Sequence, residues 1–79
     1  MKIEVNLFAS LRQYLPERAE GNSFSMQLDQ GATVGQVLEK LNIPGEMPKI
    51  IFINGLIVKS EVILKDGDRA GIFPPLAGG

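Results

Sequence analysis

The chain contains no cysteine, no histidine and no tryptophan, and its single tyrosine is Tyr14. Without cysteine there is no disulfide, no thiolate nucleophile and no zinc site of the usual structural kind. Without histidine there is neither an imidazole base nor an imidazole ligand. Most self-contained catalytic machinery is thereby excluded. What remains is carboxylates, Lys, Ser, Tyr14 and the chain termini, so the expectation is a protein that is not an enzyme on its own and borrows its reactivity from a partner.

Long apolar runs are missing as well. No stretch approaches the ~20 residues that cross a bilayer, and Met1-Lys2-Ile3-Glu4 lacks the apolar core of a secretory signal, so a cytoplasmic chain with no membrane partner is expected. Charge of one sign is also scarce. The formal net charge is −1, and the eight basic residues are scattered from Lys2 to Arg69 rather than gathered in a stripe. That pattern does not neutralise a run of phosphates, and nucleic acid is not an expected partner. At 79 residues there is material for one core and not two, so residues 1–79 are read as a single domain. With 44% hydrophobic and 22% charged residues, that domain is expected to be ordered.

Period-two alternation marks residues 2–8 as a strand, with Ile3, Val5 and Leu7 on one face. Ser10 and Gln13 have capping-box spacing, and Leu11, Tyr14 and Leu15 lie at helical offsets, predicting a short helix stopped by Pro16. Phe24, Met26 and Leu28 alternate with polar residues in a second strand. Thr33 and Gln36 form a second capping box ahead of the stripe Val34, Val37, Leu38 and Leu41, which predicts the main helix. The continuous apolar run from Ile50 to Ile53 reads as a strand buried on much of both faces. Asn54-Gly55 predicts a type I′ hairpin returning through Leu56, Ile57 and Val58. Asp66-Gly67-Asp68 is a turn rather than a cation loop, because Arg69-Ala70-Gly71 supplies no further ligands. Arg69 to Phe73 is a last strand, halted by Pro74-Pro75. Strands mixed with one main helix predict an α+β roll.

The end of the chain carries the chemistry. No residue after Arg69 has a charged side chain, and Pro74-Pro75 projects a neutral tail, residues 74–79, whose last two residues, Gly78 and Gly79, lack a Cβ. Such a tail can thread a narrow channel and present one reactive group, the carboxylate of Gly79. That carboxylate becomes an acyl donor only after its oxygen is converted to a leaving group, and flanking glycine leaves the carbonyl unhindered. The alternative is an inert terminus. Elsewhere, parity turns Phe8, Ile57 and Phe73 away from the core, giving three large apolar residues for a partner to cover; the other possibility is that twisted strand ends bury them.

Leu7-Phe8-Ala9-Ser10-Leu11-Arg12, Ile53-Asn54-Gly55, Asp66-Gly67-Asp68 and above all Phe73-Pro74-Pro75-Leu76-Ala77-Gly78-Gly79 resemble the MoaD/ThiS sulfur-carrier family over essentially the whole length, and within it the small subunit of molybdopterin synthase. The resemblance implies a ubiquitin-like β-grasp, a mixed sheet of about five strands packed on one main helix, with the first and last strands parallel and a flexible Gly-Gly tail. It implies that an E1-like enzyme, using ATP and Mg, adenylates Gly79, and that a sulfur donor system converts it to a thiocarboxylate. The chain itself would bind no cofactor or metal. The tail would enter the large subunit of molybdopterin synthase, where sulfur passes to a pterin precursor in molybdenum cofactor biosynthesis. Phe8, Arg12, Ile57, Phe73, Pro74 and Pro75 match partner-contact positions. Val58-Lys59-Ser60-Glu61 resembles the thiazole-pathway carriers instead, while the tail and the long connection from Ala9 to Ser23 favour molybdopterin. A ThiS-like carrier for thiazole or another sulfur pathway, and a ubiquitin-like protein modifier, remain alternatives.

Overall fold

A computed structural model of the chain describes residues 1–75. Gly78 and Gly79 therefore lie outside the described residues. The order is β1 (Lys2–Leu7), a 3₁₀ helix (Ala9–Tyr14), β2 (Ser23–Gln27), α1 (Val34–Lys40), β3 (Ile50–Ile53), β4 (Leu56–Val58) and β5 (Arg69–Phe73). One five-stranded sheet runs β2-β1-β5-β3-β4. β1 and β5 are parallel at its centre, whereas β2, β3 and β4 join antiparallel. This mixed sheet with its crossover helix is the β-grasp roll that was expected.

The core forms on the face of the sheet chosen by parity. Ile3, Val5 and Leu7 of β1 and Ala70 and Ile72 of β5 point inward, where they meet Phe24 and Met26 of β2 and Ile51 and Ile53 of β3. Val34, Val37 and Leu38 of α1 join the same cluster. Leu11, Leu28, Ala32, Ile43 and Leu64 complete the cluster; full burial of an aliphatic side chain contributes ~1.5–3 kcal/mol before the cost of ordering it, so this core is the main source of stability. α1 has only seven residues, too few to persist alone, and its start is fixed by the predicted capping box. The Gln36 backbone N–H donates to Thr33 Oγ1 at 3.3 Å, and the Thr33 N–H donates to Gln36 Oε1 at 2.8 Å.

The turns are equally specific. Asn54 and Gly55 have φ of 52° and 87°, as a type I′ hairpin requires. Gly67, at φ 85°, makes the turn before β5. Asp68 is buried, and its carboxylate accepts hydrogen bonds from Asn54 Nδ2 at 2.9 Å and from the Lys65 N–H at 2.8 Å. Asn54 Oδ1 in turn accepts from the Arg69 N–H at 3.0 Å. The two turns are thus bolted together at one end of the sheet.

Three expectations need correction. Ser10 and Gln13 do not form a capping box: Gln13 Nε2 donates to the Ser10 carbonyl instead, and the segment is a 3₁₀ helix with no side-chain cap. The cause is at Ala9, which enters with φ of 52°, a left-handed value that leaves no ordinary helix start. The run Ile50 to Ile53 is not buried on both faces but alternates, with Ile51 and Ile53 inside and Ile50 and Phe52 half-exposed. Leu56, on the same side of β4 as Val58 by parity and so expected inside, is 71% exposed at the start of a three-residue edge strand. Among the described residues, no helix is long and apolar enough to cross a membrane.

Candidate functional site

The sheet carries α1 on one face, and strand register arranges the side chains on the other. Asn6 pairs with Gly71, Gly71 with Phe52, and Phe52 with Ile57, so these four residues form one row across β1, β5, β3 and β4. The next row holds Phe73 and Ile50. Phe8 extends the parallel ladder by one bond, its N–H donating to the Ile72 carbonyl at 3.2 Å. That bond brings the Phe8 ring onto Phe73, stacked with centroids 4.2 Å apart and planes 4° from parallel. Phe52 meets Phe73 edge-on at 5.4 Å. Such aromatic contacts add ~0.5–1.5 kcal/mol each beyond the area they bury.

Phe8 and Phe73, picked out by parity, are therefore brought together, and Ile57 shares their face at 71% exposure. Phe52 was overlooked. Four apolar residues in a row carry no period, and the outward side of Phe52 is fixed only once register sets Ile51 and Ile53 on the core side. Gly71 was overlooked as well, because a glycine offers no side chain to flag. Arg12 is exposed in the 3₁₀ helix and does not line the concavity formed by Phe8, Phe52, Gly71 and Phe73. Arg69 does, with its side chain 71% exposed and 3.9 Å from Glu4.

The root of the tail is held separately. Pro74 and Pro75, both half-buried, share an apolar groove with Ala9, Ser10 and Leu11 of the 3₁₀ helix and with Met47 and Pro48. β5 therefore leaves the sheet at the end where Phe8 and Phe73 stack, and the next two residues are rigid and supported. Among the described residues there is no cluster of acidic side chains suited to a metal ion. Asp66 and Asp68, the one pair the sequence offered, are occupied instead. Asp66 Oδ1 accepts from the Lys2 N–H at 2.7 Å, and Asp68 binds Asn54 and Lys65 as above.

A model described as the ThiS family matches residues 5–79. The chain belongs to the ThiS family. Small archaeal modifier protein 3 of Haloferax volcanii is 31% identical to this ThiS-family chain, over all of both sequences. Among solved structures, a putative molybdopterin converting factor, subunit 1, from Pyrococcus furiosus is 29% identical. The match spans 95% of this chain and 98% of that one, with a TM-score of 0.73. Small archaeal modifier protein 1 from Methanosarcina acetivorans is 27% identical over 99% and 96% of the two chains, with a TM-score of 0.71. The ThiS-family chain is thus a homologue of small ubiquitin-like carriers and modifiers.

Proposed function

We propose that residues 1–79 act as one β-grasp sulfur-carrier domain whose working group is the carboxylate of Gly79, and whose route leads to molybdopterin as the small subunit of its synthase. The observation that carries this reading is the delivery of the chain end. The central strand β5 runs directly from the exposed aromatic face into a supported Pro74-Pro75, so a protein covering that face also receives the tail.

In the proposed cycle an E1-like adenylating enzyme, with ATP and Mg, binds the aromatic face. A carboxylate oxygen of Gly79 attacks the α-phosphorus of ATP, pyrophosphate leaves, and an acyl-adenylate forms. Sulfide-level sulfur delivered by a donor system then adds to the carbonyl carbon as nucleophile and AMP departs with the acyl C–O bond electrons, leaving a thiocarboxylate. In the pocket of the large subunit of molybdopterin synthase the thiocarboxylate sulfur then bonds to the pterin precursor, and water cleaves the resulting acyl–sulfur bond, leaving sulfur on the pterin and restoring the Gly79 carboxylate. Catalytic side chains are supplied by the partners, in keeping with a sequence that lacks His and Cys. The relative from Pyrococcus furiosus, described as a molybdopterin converting factor subunit, and the Phe-Pro-Pro tail support this pathway over a thiazole carrier. Phe8, Ile57 and Phe73 are assigned to docking, Arg12 to a polar contact, and Pro74, Pro75 and Gly78 to tail access.

Incubation with ATP, the adenylating enzyme and a sulfur donor is expected to exchange one terminal oxygen for sulfur, read by intact-mass spectrometry. Retention of the gain after deletion of Gly79 sinks the proposal. A second reading, a protein modifier, is favoured by the 31% identity to a chain described as a small archaeal modifier. It predicts lysines of other proteins bearing a Gly-Gly remnant.

A further inference from the structure

Asparagine followed by glycine is the pairing most prone to losing its side-chain ammonia, because glycine leaves its own backbone nitrogen open to attack the preceding carboxamide. Asn54-Gly55 is the one such pair in the chain; Asn6, Asn22 and Asn42 precede Leu7, Ser23 and Ile43. The hairpin has a reason to keep it, since a type I′ turn needs positive φ at both positions, and Asn54 and Gly55 have 52° and 87°. Asn54 is exposed, so water reaches it. Its carboxamide is nevertheless held at both ends. Nδ2 donates to Asp68 Oδ1 at 2.9 Å, and Oδ1 accepts from the Arg69 N–H at 3.0 Å. A carboxylate only accepts and a backbone N–H only donates, so these partners fix which way the amide points. Attack by the Gly55 nitrogen on Asn54 Cγ closes a five-membered ring, and for that the carboxamide must turn away from Asp68 and Arg69 and fold back over its own backbone. Both hydrogen bonds break first.

We propose that Asn54 is a site of spontaneous covalent modification held in check by the Asp68 carboxylate, and that its conversion to aspartate or isoaspartate marks chains in which the joint between the two turns has opened. The reaction needs only water. The Gly55 nitrogen, having lost its proton to solvent, bonds to Asn54 Cγ while the Cγ–Nδ2 bond breaks, and the departing nitrogen takes up a proton and leaves as ammonia. Water then opens the cyclic imide at either carbonyl, giving aspartate or, with the chain rerouted through Cγ, isoaspartate. Either product works against reclosure. Aspartate puts a carboxylate where Nδ2 met Asp68 Oδ1, and two carboxylates at hydrogen-bond distance repel unless they share a proton. Isoaspartate adds one atom to the backbone of a two-residue turn and so disturbs the pairing of Ile53 with Leu56. The other charged side chains on the elements that meet here are Lys2 and Glu4 of β1, Lys65 and Asp66 of the turn, and Arg69 of β5; β3 and β4 carry none. Of these, Arg69 lies 3.9 Å from Glu4, and Asp66 Oδ1 accepts from the Lys2 N–H.

The test follows the full chain in mildly alkaline buffer. Cleavage after Lys49 and Lys59 isolates residues 50–59, in which Asn54 is the only asparagine, and mass spectrometry of that peptide reads the exchange of an amide for a carboxyl. The folded parent is expected to convert at least about tenfold more slowly than the same chain in strong urea. Asp68→Ala frees one end of the amide. It should convert at least about threefold faster than the parent poised at the same unfolding free energy by sub-denaturing urea, a comparison that separates loss of the restraint from loss of stability. Asn54→Asp, made directly, should lower the thermal midpoint by a margin that grows as pH rises above about 4, because the folded pair holds a shared proton that the unfolded chain releases there. Equal rates in folded and unfolded parent overturn the proposal, as does an Asp68→Ala rate equal to that of the matched parent. An Asn54→Asp chain as stable as the parent at neutral pH overturns the resistance to reclosure. All of these outcomes leave the carrier reading standing.

Discussion

Ala9 holds φ at 52°, a conformation in which the Cβ of an L-residue crowds the following carbonyl. The kink lets Phe8 stay on the outer face while Leu11, three residues on, turns into the core. Replacing Ala9 by Gly removes the crowding at some entropic cost, so Ala9→Gly is expected to raise stability by ~0.5–1 kcal/mol in urea unfolding. At the other end of the sheet, Asp68 and Asn54 satisfy each other and two backbone donors. Asp68→Ala leaves Asn54 Nδ2 and the Lys65 N–H without their acceptor, and a loss of ~1–3 kcal/mol is expected. A double-mutant cycle with Asn54→Ala should show a favourable coupling energy, and strict additivity would mean that the two turns are not joined through this pair. The sequence announced both turns through their glycines but not the bond between them, which depends on a tertiary approach across fourteen residues.

α1 depends on its cap more than a longer helix would. Thr33→Ala removes the Oγ1 acceptor of the Gln36 N–H, and a loss of about 1 kcal/mol is expected in the same unfolding assay; a change near zero would show that burial of Val34, Val37 and Leu38 alone sets the helix start. This element was legible because both halves of the box and the apolar stripe agreed. The strands β1, β2 and β5 were legible for a similar reason, each alternating over five or six residues. The Ser10–Gln13 box had the right spacing and failed because capping spacing says nothing about the φ of the residue before it. Ile50 to Ile53 misled because four apolar residues in a row carry no period, and β5 on one side and β4 on the other decide which of them face inward. The adjacency of β1 and β5 came from family resemblance, since nothing local in either strand encodes a partner more than sixty residues away.

Across the whole molecule, the outer face divides into an apolar half, Phe8, Ile50, Phe52, Ile57 and Phe73, and a polar half that includes Glu4, Ser23, Ser25 and Arg69. Ile57 contributes its bulk to solvent and not to the core, so Ile57→Glu should change stability by no more than ~0.5 kcal/mol. On the proposed carrier reading, the same substitution should weaken capture by an adenylating enzyme in a pull-down or calorimetric titration. Undiminished binding would move the contact away from β4. The division was foreseen for Phe8, Ile57 and Phe73 because alternation fixes sides, but the stack and the dent beside it are properties of register between strands. That register has a kinetic side. The strand that closes the centre of the sheet is β5, residues 69–73, and it pairs with the first strand, so the majority of close contacts have a long sequence separation. A growing chain on the ribosome cannot complete its sheet until residue 73 has cleared the exit tunnel, and a nascent chain interrupted earlier has no closed aromatic face to offer. Such a truncated chain lacks the central strand and one ring of the Phe8–Phe73 stack together.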